Sequence, residues 1–584
     1  MAKQYLFNSV PTIHRRRTPF NLSHKVFTSM NVGDLCPILC QEVYPGDDFK
    51  IDSTYIARTL SEYIRPVMDS LYMDIMYFFV PNRLILDTFK NVMGESNGAW
   101  APSQSYSVPD LMAFTYTMKG SASEVSAGTV ADYLGIPPLK YGASVSSSSE
   151  LPKVSVLPFR AFAKVYDDWF RDENVEQPMS IRTSQGFQGN EYFNNDDWSV
   201  TNYTGKLPKV SKFHDYFTSA LPSPQKGAAV TLPIGSSAPI VKRGSVGVTV
   251  DSGSLINSSA SVPAGNSYLF GYRTSGGSVF SLANGASVSG SSYAAKLVGN
   301  VDDVSNLFAD LSGATAASIN DQRVAWQTQR LLERDARGGT RFIEYIRSAF
   351  GVDAGDYRLQ RAEFLGGKRI PLSVQQVPQT VNNDTEKEFV GSLGAYSLSF
   401  GSARARKGFV EHGFIMGVAV IRQKHTYQQG IEKFWSRLQR TDFYDPVFQN
   451  LGEQPIKSTE IFAGAKRDEI FGYQEAWADL RMRQNRVSGA MRSHGETADL
   501  DIWHFADDFS TAPVLNRAFM RETEDNVNRA LRVPHTTEYT PQFIVEFDIK
   551  MPAVLDNCSC QSRDFCASFA ENCCAISCNS FCLL

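Results

Sequence analysis

The chain has 584 residues, 42% hydrophobic, 12% aromatic and 20% charged, with a formal net charge of −4. That length holds several domains or one large domain with insertions, and that apolar share buries a sizeable core. The near-neutral charge excludes a polybasic nucleic-acid binder as a whole, so any phosphate contact is local; no apolar run approaches the roughly 20 residues that cross a bilayer, and MAKQYLFNSVPTIHRRR lacks a secretory apolar stretch, so neither membrane insertion nor secretion is expected.

Residues 1–33 carry Lys3, Arg15, Arg16, Arg17 and Lys25, with no acid before Asp34. Pro11 and Pro19 interrupt any helix, so this is expected to be an extended basic arm. Guanidinium forks there suit phosphate oxygens. Residues 34–224 open with strands at 35–43 and 49–56 around the turn Pro45-Gly46-Asp47, and 71–80 reads as a strand buried on both faces and ended by Pro81. Asn82 is expected to cap a short helix with Ile85, Phe89, Val92 and Met93 on one face, stopped by Gly94. Within 159–170, Phe162, Val165, Tyr166, Trp169 and Phe170 recur at helical spacing, an aromatic stripe for core or subunit packing.

Residues 225–315 are rich in Ser, Gly, Ala and Val and nearly uncharged. They lack a helical period, and pieces such as 245–250 predict short hairpins in a surface projection. Tyr268, Phe270 and Tyr272 lend it apolar content suited to partner contact. Residues 316–551 begin with two short helices hinged at Gly338-Gly339. Glu333, Arg334 and Asp335, with Arg337 following, read as a salt-bridged helix end rather than a catalytic cluster. Strands are expected at 389–400 and 409–422, the latter the longest, with a basic turn of Arg404, Arg406 and Lys407 between them. In 542–550, Phe543, Val545, Phe547 and Ile549 share one face of a terminal half-buried strand.

A second basic cluster, Arg481, Arg483, Arg486 and Arg492, lies near Trp477 and Asn485. It suits single-stranded nucleic acid and a subunit interface equally well. His504, Asp507 and Asp508 read as polar loop structure rather than a metal site, and His412 and His425 flank a strand without forming a pair. No P-loop, GxGxxG, HExxH or GxSxG occurs, so no catalytic site, cofactor or metal is expected. Cys36 and Cys40 stand in a body that folds without disulfides. Residues 552–584 form an atypical Cys-rich tail whose spacing fits no standard zinc site; it reads first as an aberrant reading-frame end, with a metal-binding or disulfide-linked tail as the alternative. Strands at both ends without βαβ repeats favour an antiparallel sandwich with very long loops.

The stretch LLERDARGGTRFIEYIRSAFGVDAGDYRLQRAEFLGG closely resembles the major capsid protein of gokushoviruses, small single-stranded DNA phages of the Microviridae. HRRRTPFNLSHKVFTSMNVGDLCPILCQEVYPGDDFKID, HTYQQGIEKFWSRLQRTDFYDPVF, GYQEAWADLRMRQNRVSGAMRSH and LDIWHFADDF carry the same resemblance in the same order. It implies a mainly β fold, an eight-stranded antiparallel jelly roll whose long inter-strand insertions contain short helices. It also implies a homo-oligomeric T=1 icosahedral shell around circular single-stranded DNA, a virion assembled in the host bacterial cytoplasm. In such a shell Arg15, Arg16, Arg17, Lys25, Arg404, Arg406 and Lys407 are expected at the DNA, and Arg337, Arg341 and Trp169 at subunit contacts. The 225–315 insertion, with Tyr268, Phe270 and Tyr272, occupies the place of threefold protrusions that meet a host cell surface receptor. The mildly acidic charge suggests that the subunit does not neutralise the genome alone, and the resemblance implies a separate small, very basic packaging protein. The rival readings are a jelly-roll carbohydrate-binding module or adhesin, and a nucleic-acid enzyme built on the basic clusters.

Overall fold

The computed structural model describes residues 17–95, 128–136, 153–179, 207–228, 319–338, 341–353, 355–372, 399–449, 451–493, 498–535 and 540–556, with short pieces between them. Two compact units are present, Met1–Lys226 with Leu332–Leu584, and Gly227–Leu331. In the first unit the strands of the two main sheets, in chain order, begin with β1 Arg17–Asn21, β2 His24–Met30, β3 Cys36–Val43, β4 Asp48–Thr59, β5 Leu71–Pro81, β6 Glu363–Leu372, β7 Ser399–Gly408 and β8 Gly413–Gln423; short pairs join Asp110–Met112 to Lys153–Ser155 and Gln376–Pro378 to Leu393–Tyr396. A hairpin of β9 Glu453–Lys457 and β10 Ile470–Glu475 follows, then β11 Phe543–Lys550 and β12 Pro552–Asp556.

One antiparallel sheet runs β1-β12-β4-β11-β2 with β7 on the other edge of β4; the facing sheet runs β6-β5-β8-β3. The two sheets hold ten strand segments. β1 and β2 form one strand bent at Leu22-Ser23, and β11 and β12 one strand bent at Met551. The bends are stitched by Leu22 N to Met551 O at 2.9 Å and Met551 N to Ser23 Oγ at 3.0 Å. Counted that way, each sheet has four strands, and successive strands alternate between sheets except β5 and β6, which are neighbours. This is the jelly-roll order.

Period-2 patterning explains the sandwich. In β4, Phe49, Ile51, Ser53, Tyr55 and Ala57 point inward, while Lys50, Thr54, Ile56 and Arg58 point out. In β11, Phe543, Val545, Phe547 and Ile549 are buried in the same core. β5 and β8 are buried on both faces because α1 (Leu157–Trp169) packs over their outer side. The aromatic stripe on α1 is buried through Phe162, Val165 and Tyr166. Buried Arg160 on this helix donates to the carbonyls of Ile85 (3.0 Å) and Ser184 (3.2 Å). Gly417 in β8 lets Tyr77 and Leu39 close in; a Cβ there would lie 2.8 Å and 2.9 Å from them. Cys36 is buried and Cys40 half-buried, both free thiols pushed up by burial.

Several local expectations are corrected. Pro81, not Asn82, holds the N-cap position, and extended Leu86 splits the segment into single turns at Asn82–Ile85 and Phe89–Val92, with Met93 exposed. Of the strand expected at 389–400, the described residues form Leu393–Tyr396 and the first two residues of β7; 389–392, 397 and 398 lie outside the described residues. The basic turn is β7 itself: Ala403 and Ala405 face in and Arg404 and Arg406 out. β8 begins at Gly413, and β4, with 12 residues, is the longest strand. Strand β12 continues beyond the expected end of the sheet. The first of the two helices is long, α2 (Ile319–Arg337, 19 residues), and α3 is Phe342–Phe350. The described part of residues 1–33 forms β1 and β2, and residues 1–16 of the expected extended arm lie outside the described residues.

The second unit pairs Ile240–Lys242 with Leu307–Ala309, and Leu269–Gly271 with Phe280–Leu282, both antiparallel. The predicted hairpin at 245–250 and the Cys-rich residues 557–584 lie outside the described residues. Two long insertions leave the sandwich, 82–362 between β5 and β6 and 424–542 between β8 and β11. They build a second hydrophobic cluster from Tyr216, Phe217, Tyr427, Ile456, Ile461, Phe471, Phe519 and Met520.

Candidate functional site

The outer face of the β4 sheet gathers most of the described basic candidates. Arg404 stands opposite Asp52 and Arg406 opposite Lys50. Arg404 Nε lies 2.7 Å from Asp52, and Arg406 Nη2 lies 3.2 Å from Asp48. The two side chains are 81% and 71% exposed, so most of their donors point to solvent. Lys407 is turned aside to pair with Glu363 of β6 and ties the two sheets together. Lys25 pairs across the strand with Glu546 at 2.7 Å. The Arg17 guanidinium lies over Gly46, whose φ of 92° and lack of a Cβ make room for it. Arg15 and Arg16 lie outside the described residues. On this face Ile56 and Phe400 stand opposite each other as exposed apolar side chains, and exposed Phe27 lies beyond Glu546 of the intervening β11.

The three residues expected at subunit contacts use their polar groups within the chain. Arg337 pairs with Glu453. Arg341 Nη2 donates to the carbonyls of Asp167 (2.8 Å) and Arg171 (3.4 Å). Trp169 Nε1 donates to Ala362 O at 2.9 Å, and the Arg361 guanidinium stacks on its ring at 3.9 Å. Glu333, Arg334 and Asp335 are on the last turns of α2, with Arg334 3.2 Å from Asp335. Tyr268 and Tyr272 lie outside the described residues, and Phe270 is described only as backbone in the Leu269–Gly271 strand.

The second basic cluster lines a cavity of about 370 Å³ whose floor is Tyr216, Phe217 and Tyr427. Arg481 pairs there with Glu475 at 2.6 Å, and Arg492 donates to Gln428 O at 3.0 Å. The HFADD segment disperses. His504 bonds Met491 O at 2.7 Å and Asp508 accepts from Gln429 at 2.9 Å, while Asp507 turns inward.

Asp507 belongs to a buried charged cluster that residue spacing did not reveal. Its Oδ2 lies 2.7 Å from Nδ1 of His425, whose Nε2 lies 2.9 Å from Glu522. The second oxygens accept from Asn526 (2.8 Å) and from the Gln423 amide (3.0 Å). Burial pulls the imidazole down, but Asp507 and Glu522 outweigh it and hold it up at about 9. Burial pushes Asp507 up, yet His425 and then Lys212 bring it below the usual carboxylate range. Both ring nitrogens donate, so neither serves as a base. The cluster binds β8, the 505–508 loop and the 520–522 segment together. Among the described residues no group of His, Cys, Asp and Glu is arranged to hold a metal ion, and no helix is long and apolar enough to cross a membrane.

Comparison with known proteins gives a consistent result. Residues 8–556 match the family model described as capsid protein (F protein). The chain is 37% identical over 572 residues to capsid protein VP1 of Spiroplasma virus 4, covering 94% of this chain and 95% of that one. It is 37% identical over 557 residues to capsid protein VP1 of Bdellovibrio phage phiMH2K, covering 93% and 94%. To capsid protein VP1 of Chlamydia phage 1 it is 33% identical over 595 residues, covering 93% and 94%. The family match stops at the end of β12, so the Cys-rich residues 557–584 fall outside it.

Proposed function

We propose, from the premise that this chain belongs to the capsid protein (F protein) family, that it builds a T=1 icosahedral shell around circular single-stranded DNA and turns its 225–315 insertion toward the host cell surface. The chain is the major capsid protein of a Microviridae-type phage: a structural component of the virion that assembles with copies of itself, not an enzyme. The observation that carries the reading is the match across 8–556 on a chain whose strands follow jelly-roll order.

The finer parts rest on chemistry. Arg404 and Arg406 present free guanidinium donors from a rigid strand, and Arg15 to Arg17 lead into β1, so both can meet phosphates. Acids balance much of that charge, and the chain totals −4, so a small basic packaging protein shares in neutralising the genome. Tyr268, Phe270 and Tyr272 give the Ser/Gly-rich insertion its receptor-contacting side chains, and assembly takes place in the host bacterial cytoplasm. Electron microscopy of the purified protein is expected to show shells of one diameter. Monomers persisting under every condition, with an affinity for glycans, would favour the carbohydrate-binding module or adhesin instead.

A further inference from the structure

The stretch 431–451 has an unusual division of labour between its side chains. It forms three single turns of 3₁₀ helix, Lys433–Ser436, Arg440–Asp442 and Pro446–Phe448. Its polar groups hold the backbone. Arg437 pairs with Asp479, both mostly buried, and stacks over Trp477. Trp477 Nε1 donates to Phe448 O at 3.1 Å, and Lys433 Nζ to Pro455 O at 3.3 Å. The Asp442 carboxylate accepts from the amides of Leu438 (3.0 Å) and Gln439 (2.9 Å), and Asp445 from that of Val447 (2.9 Å). Trp477 keeps a φ of 64°, costly for a residue with a Cβ, so its surroundings hold it there.

The apolar groups point the other way. Ile431, Phe434, Trp435, Leu438, Phe443, Tyr444, Val447 and Leu451 are all exposed, Trp435 by 70%, Leu438 by 75% and Val447 by 84%. Soluble monomers rarely keep so dense an apolar surface. Aromatic enrichment on a pre-organised backbone is the composition of an obligate protein interface.

Charge selects the occupant. Lys433 and Arg440 stand against Glu432, Asp442 and Asp445, while Arg437 is taken up by Asp479, so the face is mixed in sign and close to neutral. A face for single-stranded DNA would be net cationic, and one for a very basic packaging protein net anionic. A neutral, mixed and apolar face fits neither. We infer that the 431–451 surface seats a second copy of this chain, a contact that rests on the capsid reading and places one shell interface on named residues.

The test compares wild-type full-length protein with Leu438→Asp/Val447→Asp by sedimentation velocity and electron microscopy. Circular dichroism melts confirm the fold, since neither side chain belongs to the core. The expected result is a folded monomer with self-association weakened about tenfold or more, and few or no shells. Wild-type shells in wild-type yield from the folded variant overturn the inference while leaving the capsid reading intact. If wild-type protein forms only small oligomers, the capsid reading fails, and loss of those oligomers in the variant still supports the contact. Should the aspartates cause aggregation, Leu438→Ser/Val447→Ser decides by the same measurements.

Discussion

Phe547 and His425 mark the centres of two regions assembled by different physics. Phe547 lies in the sandwich between its buried β11 neighbours Val545 and Ile549, its ring tilted against Tyr55 at 6.4 Å, with no polar atom to satisfy. His425 opens the 424–542 insertion, whose own apolar cluster around Tyr427, Ile456, Phe471 and Phe519 is smaller than the sandwich core. There the elements are joined by Asp507, Glu522, Asn526 and the Gln423 amide around one imidazole. The sandwich distributes its stability over many interchangeable contacts; the insertion adds to its apolar cluster a few polar groups that depend on one another. A shell protein gains from the second arrangement because polar staples free the apolar side chains of 431–451 to face outward.

Phe547→Ala should have the largest effect on the subunit, a loss of about 4 kcal/mol from lost burial and the cavity left behind. Urea unfolding of the dissociated subunit checks it, and a loss below about 1 kcal/mol would mean that β11 is not a main carrier of the core. His425→Gln should follow at about 3 kcal/mol, because two buried carboxylates lose their shared cation, leaving Lys212 near Asp507 and Arg422 near Glu522. The pH dependence separates the two variants. His425 is raised from 6.5 to about 9, so its contribution is complete below pH 6.5 and is lost as pH rises through about 9. Asp507 has the opposite sign: depressed below 3.8, its contribution is present above that value and fades as pH falls beneath it. Melting temperatures between pH 6 and 8 should decline for wild type and Phe547→Ala but stay flat for His425→Gln; nearer pH 10 the buried thiols of Cys36 and Cys40 lower stability in all three. Parallel curves for all three would remove the staple from the account.

The same contrast decides what could be read from the residues. β4, β5, β8 and β11 are visible in one dimension because large apolar side chains repeat every second residue or fill both faces. β7 is hidden although it obeys the same period: its inward residues are Ala403 and Ala405, too small to register beside Arg404, Arg406 and Lys407. β1 is legible only with its partner, since Arg17 to Asn21 pair with residues 552–556 at the far end of the chain. The His425 cluster has no local signature, its carboxylates lying 82 and 97 residues away. In 431–451 the aromatic residues are plain to see, but which of them face out depends on staples to Asp479 and Trp477. The family resemblance reached further than periodicity because it reads such non-local arrangements as a unit.

The smallest stability effect should come with the most specific functional one. Arg404 and Arg406 are held to Asp52 and Asp48 by exposed ion pairs, which contribute about 0–1 kcal/mol each. Arg404→Ala/Arg406→Ala should therefore leave urea midpoints almost unchanged, and Ala403 and Ala405 keep β7 seated in the core. Phosphate binding is a different quantity, because a guanidinium can exchange a solvent-exposed carboxylate for a phosphate at little cost. Each phosphate contact to single-stranded DNA adds about 0.7 to the slope of log affinity against log salt. Loss of both should lower that slope by about 1.4 for oligothymidine binding between 50 and 200 mM salt, and lower the DNA content of assembled shells. An unchanged slope with weaker binding would instead mean that the arginines act through the sheet, and the phosphate contacts would then fall to Arg15, Arg16 and Arg17.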